Sequence, residues 1–223
     1  MKTLYQVPYS PYCLVNHRIL QYSGAKFRLV NVPNGDRSLI WKVTKQRYYQ
    51  VPVLQDGKKV LFETDGDSQV IAKYLDEELD LGLFPREWDG VQDLLWRHIE
   101  NDVEGYTFKL NDIYAGSFVP RADWLRFLRH KERKFGRGCL EEWRSQQKSL
   151  VAGLTAALEP YERMASTRRW LLDENRPLFV DFDLYGMLAN FLYSGNYKFP
   201  RSLPHLRQWY DRIHRIKLKI HVR

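Results

Sequence analysis

Hydrophobic positions follow a period of two in the first third of this chain and a period near that of a helix afterwards. Residues 3–7 are a short apolar run that reads as a first strand. Residues 11–22 carry a helical pattern closed by Ser23 and Gly24, a plausible C-cap. Phe27 to Val32 alternates as a second strand, Pro33 to Asp36 is a turn or loop, and Ser38 to Arg47 fits a short irregular helix. Val51 to Leu54 reads as a third strand, Gln55 to Lys58 as a hairpin turn, and Lys59 to Glu63 as a fourth strand. A helix over Asp67 to Leu79 follows, with Asp67 or Ser68 at its cap and Val70, Ile71, Tyr74 and Leu75 on one face. The predicted order is β-α-β-α-β-β-α.

Beyond a linker over residues 81–90, strand signals cease. Val91 to Tyr114 is long and periodic, with Leu94, Leu95, Ile99 and Val103 spaced for one helix face. Gly116 to Pro120 interrupts it, Ala122 to Arg133 is helical and basic, and Phe135 to Gly138 is a second break. Leu140 to Leu172 supplies one or two further helices, Asp181 to Leu192 another, and Leu203 to Arg215 the last. The reading is an α/β domain over residues 1–80 and an all-α domain over 91–223.

Composition narrows the class. With 223 residues, 44% hydrophobic and 28% charged, the chain fits a soluble globular protein. No run approaches the roughly 18 apolar residues of a membrane helix. The first residues enter a strand at once, without the basic-then-apolar pattern of a secretory signal, so a cytoplasmic protein is expected. Cys13 and Cys139 are the only cysteines and lie in no His/Cys cluster of zinc spacing, so reduced thiols and no metal are expected. The net charge of +8 raises nucleic acid as a partner. The basic residues are interleaved with acids, as from Arg126 to Arg144, and only the tail from His214 to Arg223 runs basic. A solvated charged face, with no nucleic-acid partner, is the reading.

The chemistry concentrates at Val7-Pro8-Tyr9-Ser10-Pro11-Tyr12-Cys13, between the first strand and the first helix. Ser10 suits an N-cap whose oxygen accepts from first-turn N–H groups, and Pro11 falls at the first helical position, where its missing N–H costs nothing. Open N–H groups and the helix dipole make such a turn a seat for an anion.

Ser10-Pro11-Tyr12-Cys13 resembles the Cys-Pro-Tyr-Cys turn of glutaredoxins, with serine in the nucleophile's position. Tyr49 to Leu54 resembles the segment carrying the cis-proline of thioredoxin-like folds, and Asp67 to Leu75 resembles the (Glu/Asp)-Ser-x-x-Ile-x-x-Tyr-Leu signature of glutathione transferases. In this order the three motifs are similar to the cytosolic glutathione transferase family: a thioredoxin-like domain, then a helical domain. The stretch from Lys131 to Trp143 looks like the etherase-type or omega-like bacterial and fungal branches.

The resemblance implies glutathione as co-substrate and a small hydrophobic electrophile. It also implies a homodimer, no membrane and a role in detoxification, with glutathione-dependent ether cleavage as one form of the reaction. The non-catalytic alternative is a glutathione-binding module of the same fold. Ser10 would stabilise the glutathione thiolate, with Tyr9 and Cys13 as alternatives; Tyr5 could also reach, and His17 lies one turn from Cys13. Work through Cys13 would make the chain a glutaredoxin-like oxidoreductase. Gln50, Val51 and Pro52 match the peptide-backbone contacts, with the bond before Pro52 cis. Asp67 and Ser68 match the γ-glutamyl contacts, and Lys42 or Arg37 would meet the glycine carboxylate. Tyr106, Phe108, Asn111, Tyr114 and Trp124 would line the electrophile site. Phe179 to Asp183 resembles the family's helix-capping segment, with Leu178 where its hydroxyl residue stands, which makes Asp181 a folding residue.

Overall fold

The computed structural model describes residues 1–64 and 66–217. Its first part runs β1 (Lys2–Gln6), α1 (Pro11–Ser23), β2 (Phe27–Asn31), α2 (Ser38–Val43), β3 (Val53–Asp56), β4 (Lys59–Phe62) and α3 (Val70–Leu79). The sheet order is β2-β1-β3-β4, with β1 parallel to β2 and antiparallel to β3, and β3 antiparallel to β4. This is the expected thioredoxin-like order. Gly24 closes α1 in the left-handed region at φ 70°, which a residue without Cβ adopts freely. The third strand starts two residues later than its pattern suggests. Val51–Pro52 is a cis peptide, and a proline has no N–H to give to a ladder, so pairing begins at Val53.

The helical part comprises α4 (Asp89–His98), a π-helical turn (Ile99–Val103), α5 (Glu104–Asp112), α6 (Trp124–Phe135), α7 (Cys139–Ser145), α8 (Gln147–Thr167), α9 (Phe179–Tyr193) and α10 (Pro204–Arg215). Ile99 and Val103 are buried as expected, but Leu94 is 70% exposed. Five residues separate it from Ile99, which turns it roughly 140° around the helix from that face. Gln92 is buried instead, donating to the Leu83 carbonyl at 3.0 Å. Among the described residues no helix is long and apolar enough to cross a membrane. The basic tail beyond Lys217 lies outside the described residues.

Helix α9 is the axis of the molecule. Nearly every position from Phe179 to Phe191 is buried, and a helix apolar all round belongs in a core. Asp181, fully buried near its start, accepts from Leu178 N at 2.8 Å, Leu171 N at 2.9 Å and Trp209 Nε1 at 2.8 Å. One carboxylate therefore joins α9, the loop before it and α10, with Leu178 contributing only backbone. On its other side α9 packs against α1 at Gly186. A Cβ there would overlap a Val15 methyl and lie 2.8 Å from the Pro11 carbonyl oxygen.

Gly186→Ala should therefore destabilise the protein by about 1–3 kcal/mol, the usual cost of overpacking. Urea unfolding of both proteins measures it, and an unchanged midpoint would mean that α1 and α9 separate freely.

Candidate functional site

The chain leaves β1 at Gln6 and turns over Pro8 and Tyr9 into α1, with Ser10 N donating to the Val7 carbonyl at 3.0 Å. Ser10 occupies the N-cap position, with extended backbone angles, and Pro11 is the first helical residue. The hydroxyl does not cap, contrary to the sequence expectation. It makes its hydrogen bond to the Cys13 sulfur, in the first turn of α1. From the far side Asn190 of α9 donates to the Tyr9 carbonyl at 2.7 Å, fixing the turn against the core.

Cys13 is fully buried, and burial pushes its thiol up to about 11, against the bond from Ser10. His17 packs its ring edge-on to Phe27, centroids 5.8 Å apart. Tyr5 hydrogen-bonds Gln55 on the sheet at 2.9 Å and lines neither cavity described below. Tyr9 does face the site beside Ser10, because both lie in a turn and not in an alternating strand. Its hydroxyl is buried without a hydrogen-bond partner, and burial pushes its pKa far up.

Two cavities meet at this turn. One, of about 380 Å³, holds Gln50, Val51, Pro52, Asp67 and Ser68. The other, of about 470 Å³, holds Tyr9 and Ser10. Tyr12, Gln50 and Val51 line both.

In the smaller cavity a Thr64–Asp67 bridge pinches the loop, so α3 starts at Val70 with Gln69 at its N-cap, not Asp67 or Ser68. Glu63, at the end of β4, accepts from Val70 N at 2.9 Å, and burial pushes its carboxyl up to about 8. Asp67 accepts from Gln69 N at 2.8 Å and pairs with Lys73 at 2.9 Å. The Ser68 hydroxyl donates to Glu100 and accepts from Trp96 Nε1 at 2.9 Å. Glu100, which the sequence reading missed, rides on the π-helical turn, a feature frequent at functional sites.

The larger cavity departs from expectation. Tyr106 stands against Gly153 of α8, and Tyr114 accepts from Gln147 at 3.0 Å. Asn111 is fully buried, and its side-chain polar atoms have no hydrogen-bond partner. None of the three lines the cavity; they face the helical core from the wrong sides of α5 and its continuation. Trp124 stacks on Phe127 outside it, and Lys42 is exposed on α2, whereas Phe108 and Arg37 do line it.

The wall missed from sequence is α6. Phe127, Lys131 and Phe135 recur every four residues along it, as do Arg126, His130 and Lys134, and all six line the cavity. Such spacing puts each set on one helix face. Lys131 pairs with buried Asp112 at 2.5 Å and stands 4.9 Å from the Phe108 ring centre. Among the described residues no group of three His, Cys, Asp or Glu side chains is arranged to hold a metal.

Full burial and a raised thiol pKa make Cys13 unreactive. Iodoacetamide at pH 8 should label neither it nor buried Cys139 in the folded protein, and both after unfolding. Mass spectrometry reads the result, and rapid native labelling of Cys13 would contradict this geometry.

Residues 4–81 match the family model described as glutathione S-transferase, N-terminal domain. No curated protein sequence matches. Among solved structures, a glutathione transferase from Phanerochaete chrysosporium superposes with a TM-score of 0.78 at 20% identity, covering 98% of each chain. A glutathione S-transferase of Ceriporiopsis subvermispora in complex with glutathione gives 0.80 at 14% identity over 99% of each. Glutaredoxin 2 from Salmonella typhimurium in complex with glutathione gives 0.74 at 18%, over 98% of this chain and 96% of that one. Residues 4–81 thus carry a glutathione S-transferase N-terminal domain, and the chain as a whole has the two-part fold of the glutathione transferases on which it superposes.

Proposed function

We propose that this protein is a glutathione transferase, with residues 1–80 holding glutathione, 81–90 linking, and 91–223 completing the electrophile site. The observation that carries the reading is the meeting of the two cavities at Tyr12, Gln50 and Val51, with Asp67 and Ser68 in one and Ser10 in the other. Glutathione in the smaller cavity sets its γ-glutamyl ammonium among Asp67 and Glu100 and its peptide against Gln50 and Val51. Its thiol then points across Val51 toward Ser10.

The energetics are sufficient. Lowering a thiol pKa by two units takes about 2.7 kcal/mol of preferential thiolate stabilisation. A hydrogen bond to a charged group supplies about 1.5–3 kcal/mol, and a helix N-terminus about 0.3–1 more. The Ser10 hydroxyl needs only to rotate from the Cys13 sulfur to the glutathione sulfur. Substitution, addition and ether cleavage all use the same thiolate, in a detoxifying, cytoplasmic role. Tyr9 is the second donor to weigh, because its buried hydroxyl has no partner and faces the same cavity. A thiol-exchange role for Cys13 is disfavoured by its burial, and a homodimer is proposed on the family's habit. An apolar patch available for it is Val91 and Leu94, exposed one turn apart on α4.

Ultraviolet titration of the bound thiol from about pH 5 to 9 tests the reading. Wild type should show a thiol pKa about two units below the free value. Ser10→Ala should lose most of that depression, and Tyr9→Phe little of it. An unshifted thiol in all three would make the chain a non-catalytic glutathione-binding module. Sedimentation should give a mass of two chains for wild type and one for Leu94→Glu.

A further inference from the structure

Helix α6 lays its two stripes along the larger cavity at different depths. Phe127, with Phe108 and Phe135 beside it, forms an aromatic floor, while Arg126, His130 and Lys134 follow the more exposed rim. Across the opening, Arg37 reaches in from the loop before α2. Its Nη2 donates to Asn34 at 3.0 Å, its Nη1 is buried without a hydrogen-bond partner, and among the described residues no carboxylate pairs with it.

The acids present do not balance these cations. Asp112 is taken by Lys131 at 2.5 Å. Glu104 lies deep, and burial pushes its carboxyl up to about 7. Asp123 stands near Arg37 but outside the lining. Among the described residues that line the cavity, Arg37 and Lys134 thus face the opening without a carboxylate partner, Arg126 donates to the Gly35 carbonyl at 2.7 Å, and Glu104 is the one acid outside an ion pair. A buried guanidinium nitrogen left without an acceptor costs free energy that an anion placed there would recover.

We infer that the larger cavity is built for an aromatic electrophile carrying an anionic group, a carboxylate or sulfonate, with Arg37 and Lys134 reading the charge and Phe108 and Phe127 the ring. This rests on the proposed transferase reaction for its chemistry and narrows the substrate class. It departs from the family resemblance, which gives Arg37 to the glycine carboxylate of glutathione, because Arg37 lines the larger cavity with the α6 cations and does not line the smaller one.

Two matched pairs test it on the full-length protein. The first needs no turnover: fluorescence titration with anilinonaphthalene sulfonate and with phenylnaphthylamine, its uncharged parent. The sulfonate should bind about tenfold more tightly, the worth of one charge-assisted hydrogen bond. The preference should shrink with added salt and fall to near unity in Arg37→Gln/Lys134→Gln. The single variant Lys134→Gln, altered at an exposed side chain, should lose part of it without any effect on folding. Saturating glutathione should leave the preference in place. Equal affinities, a preference that survives the double variant, or one that glutathione abolishes would each overturn the inference, the last because the cations would then serve glutathione's own carboxylate. The second pair is chlorodinitrobenzene and chlorodinitrobenzoate, which undergo the same substitution. The benzoate should have the higher kcat/KM, by a ratio that the double variant removes. If the sulfonate preference stands while glutathione shows no thiol activation and neither benzene turns over, the transferase reading fails and the cavity's charge preference does not.

Discussion

The contact between α1 and α9 is the constraint on which the rest of the structure depends. Only a residue without Cβ at Gly186 lets the α9 backbone come this close to the Pro11 carbonyl and to Val15. One turn further along α9, Asn190 then reaches the Tyr9 carbonyl. The Ser10 turn is thereby attached to the most buried helix of the protein, not merely to the strand before it. Arg18, farther along α1, adds a bond from Nε to the Ile213 carbonyl at 2.7 Å, tying the same helix to α10. A side chain meant to act at a fixed distance needs a rigid support, and packed helices supply one better than a loop does.

Charge is divided between the two cavities by the same framework. Among the described residues the smaller one is lined by Glu63, Asp67 and Glu100, with Arg97 as the cation and that one already paired with Asp93 at 3.0 Å. The larger one is rimmed by arginines and lysines. The helix through the π-helical turn serves both, since Glu100 and Glu104 are a turn apart and face the cavities in succession. Burial holds both carboxyls toward their neutral forms, as it does Asp183 of α9 behind them. An acid-rich pocket beside a cation-rich one suits a ligand that carries an ammonium at one end and meets an anionic partner at the other.

Much of this was legible in the residues. The N-terminal order of elements follows from alternation and turn chemistry, and Gly24 ends α1 where its type predicts. The positions of Ser10, Asp67 and Ser68 around joined cavities follow from spacing once the fold is recognised. What was not legible depended on contacts between distant segments. Nothing local says that Ser10 turns its hydroxyl to Cys13, or that Glu63 satisfies the first turn of α3 in place of Asp67 or Ser68. Tyr106, Asn111 and Tyr114 fall outside the larger cavity, because position along α5 and its continuation does not reveal which side meets α8. The α6 wall did carry a signal in its two four-residue repeats. That signal is ambiguous, since charges at helical spacing more often mark a solvated face.

Lys131 shows that the ambiguity is physical. It belongs to the aromatic stripe by spacing, yet it carries a charge into a half-buried position beside Phe108, Phe127 and Phe135. A cation there is tolerable only with compensation, and the rings together with Asp112 at 2.5 Å provide it. Because Asp112 is spent on Lys131, it is not available to the rim, and the neighbouring cations on α6 keep their charge facing the cavity. Had the pair been absent, Asp112 would lie within the same cavity as an unpaired acid and cancel part of that field. The charge preference of the site thus depends on a buried ion pair beneath it, one residue out of register with the side chains that express it.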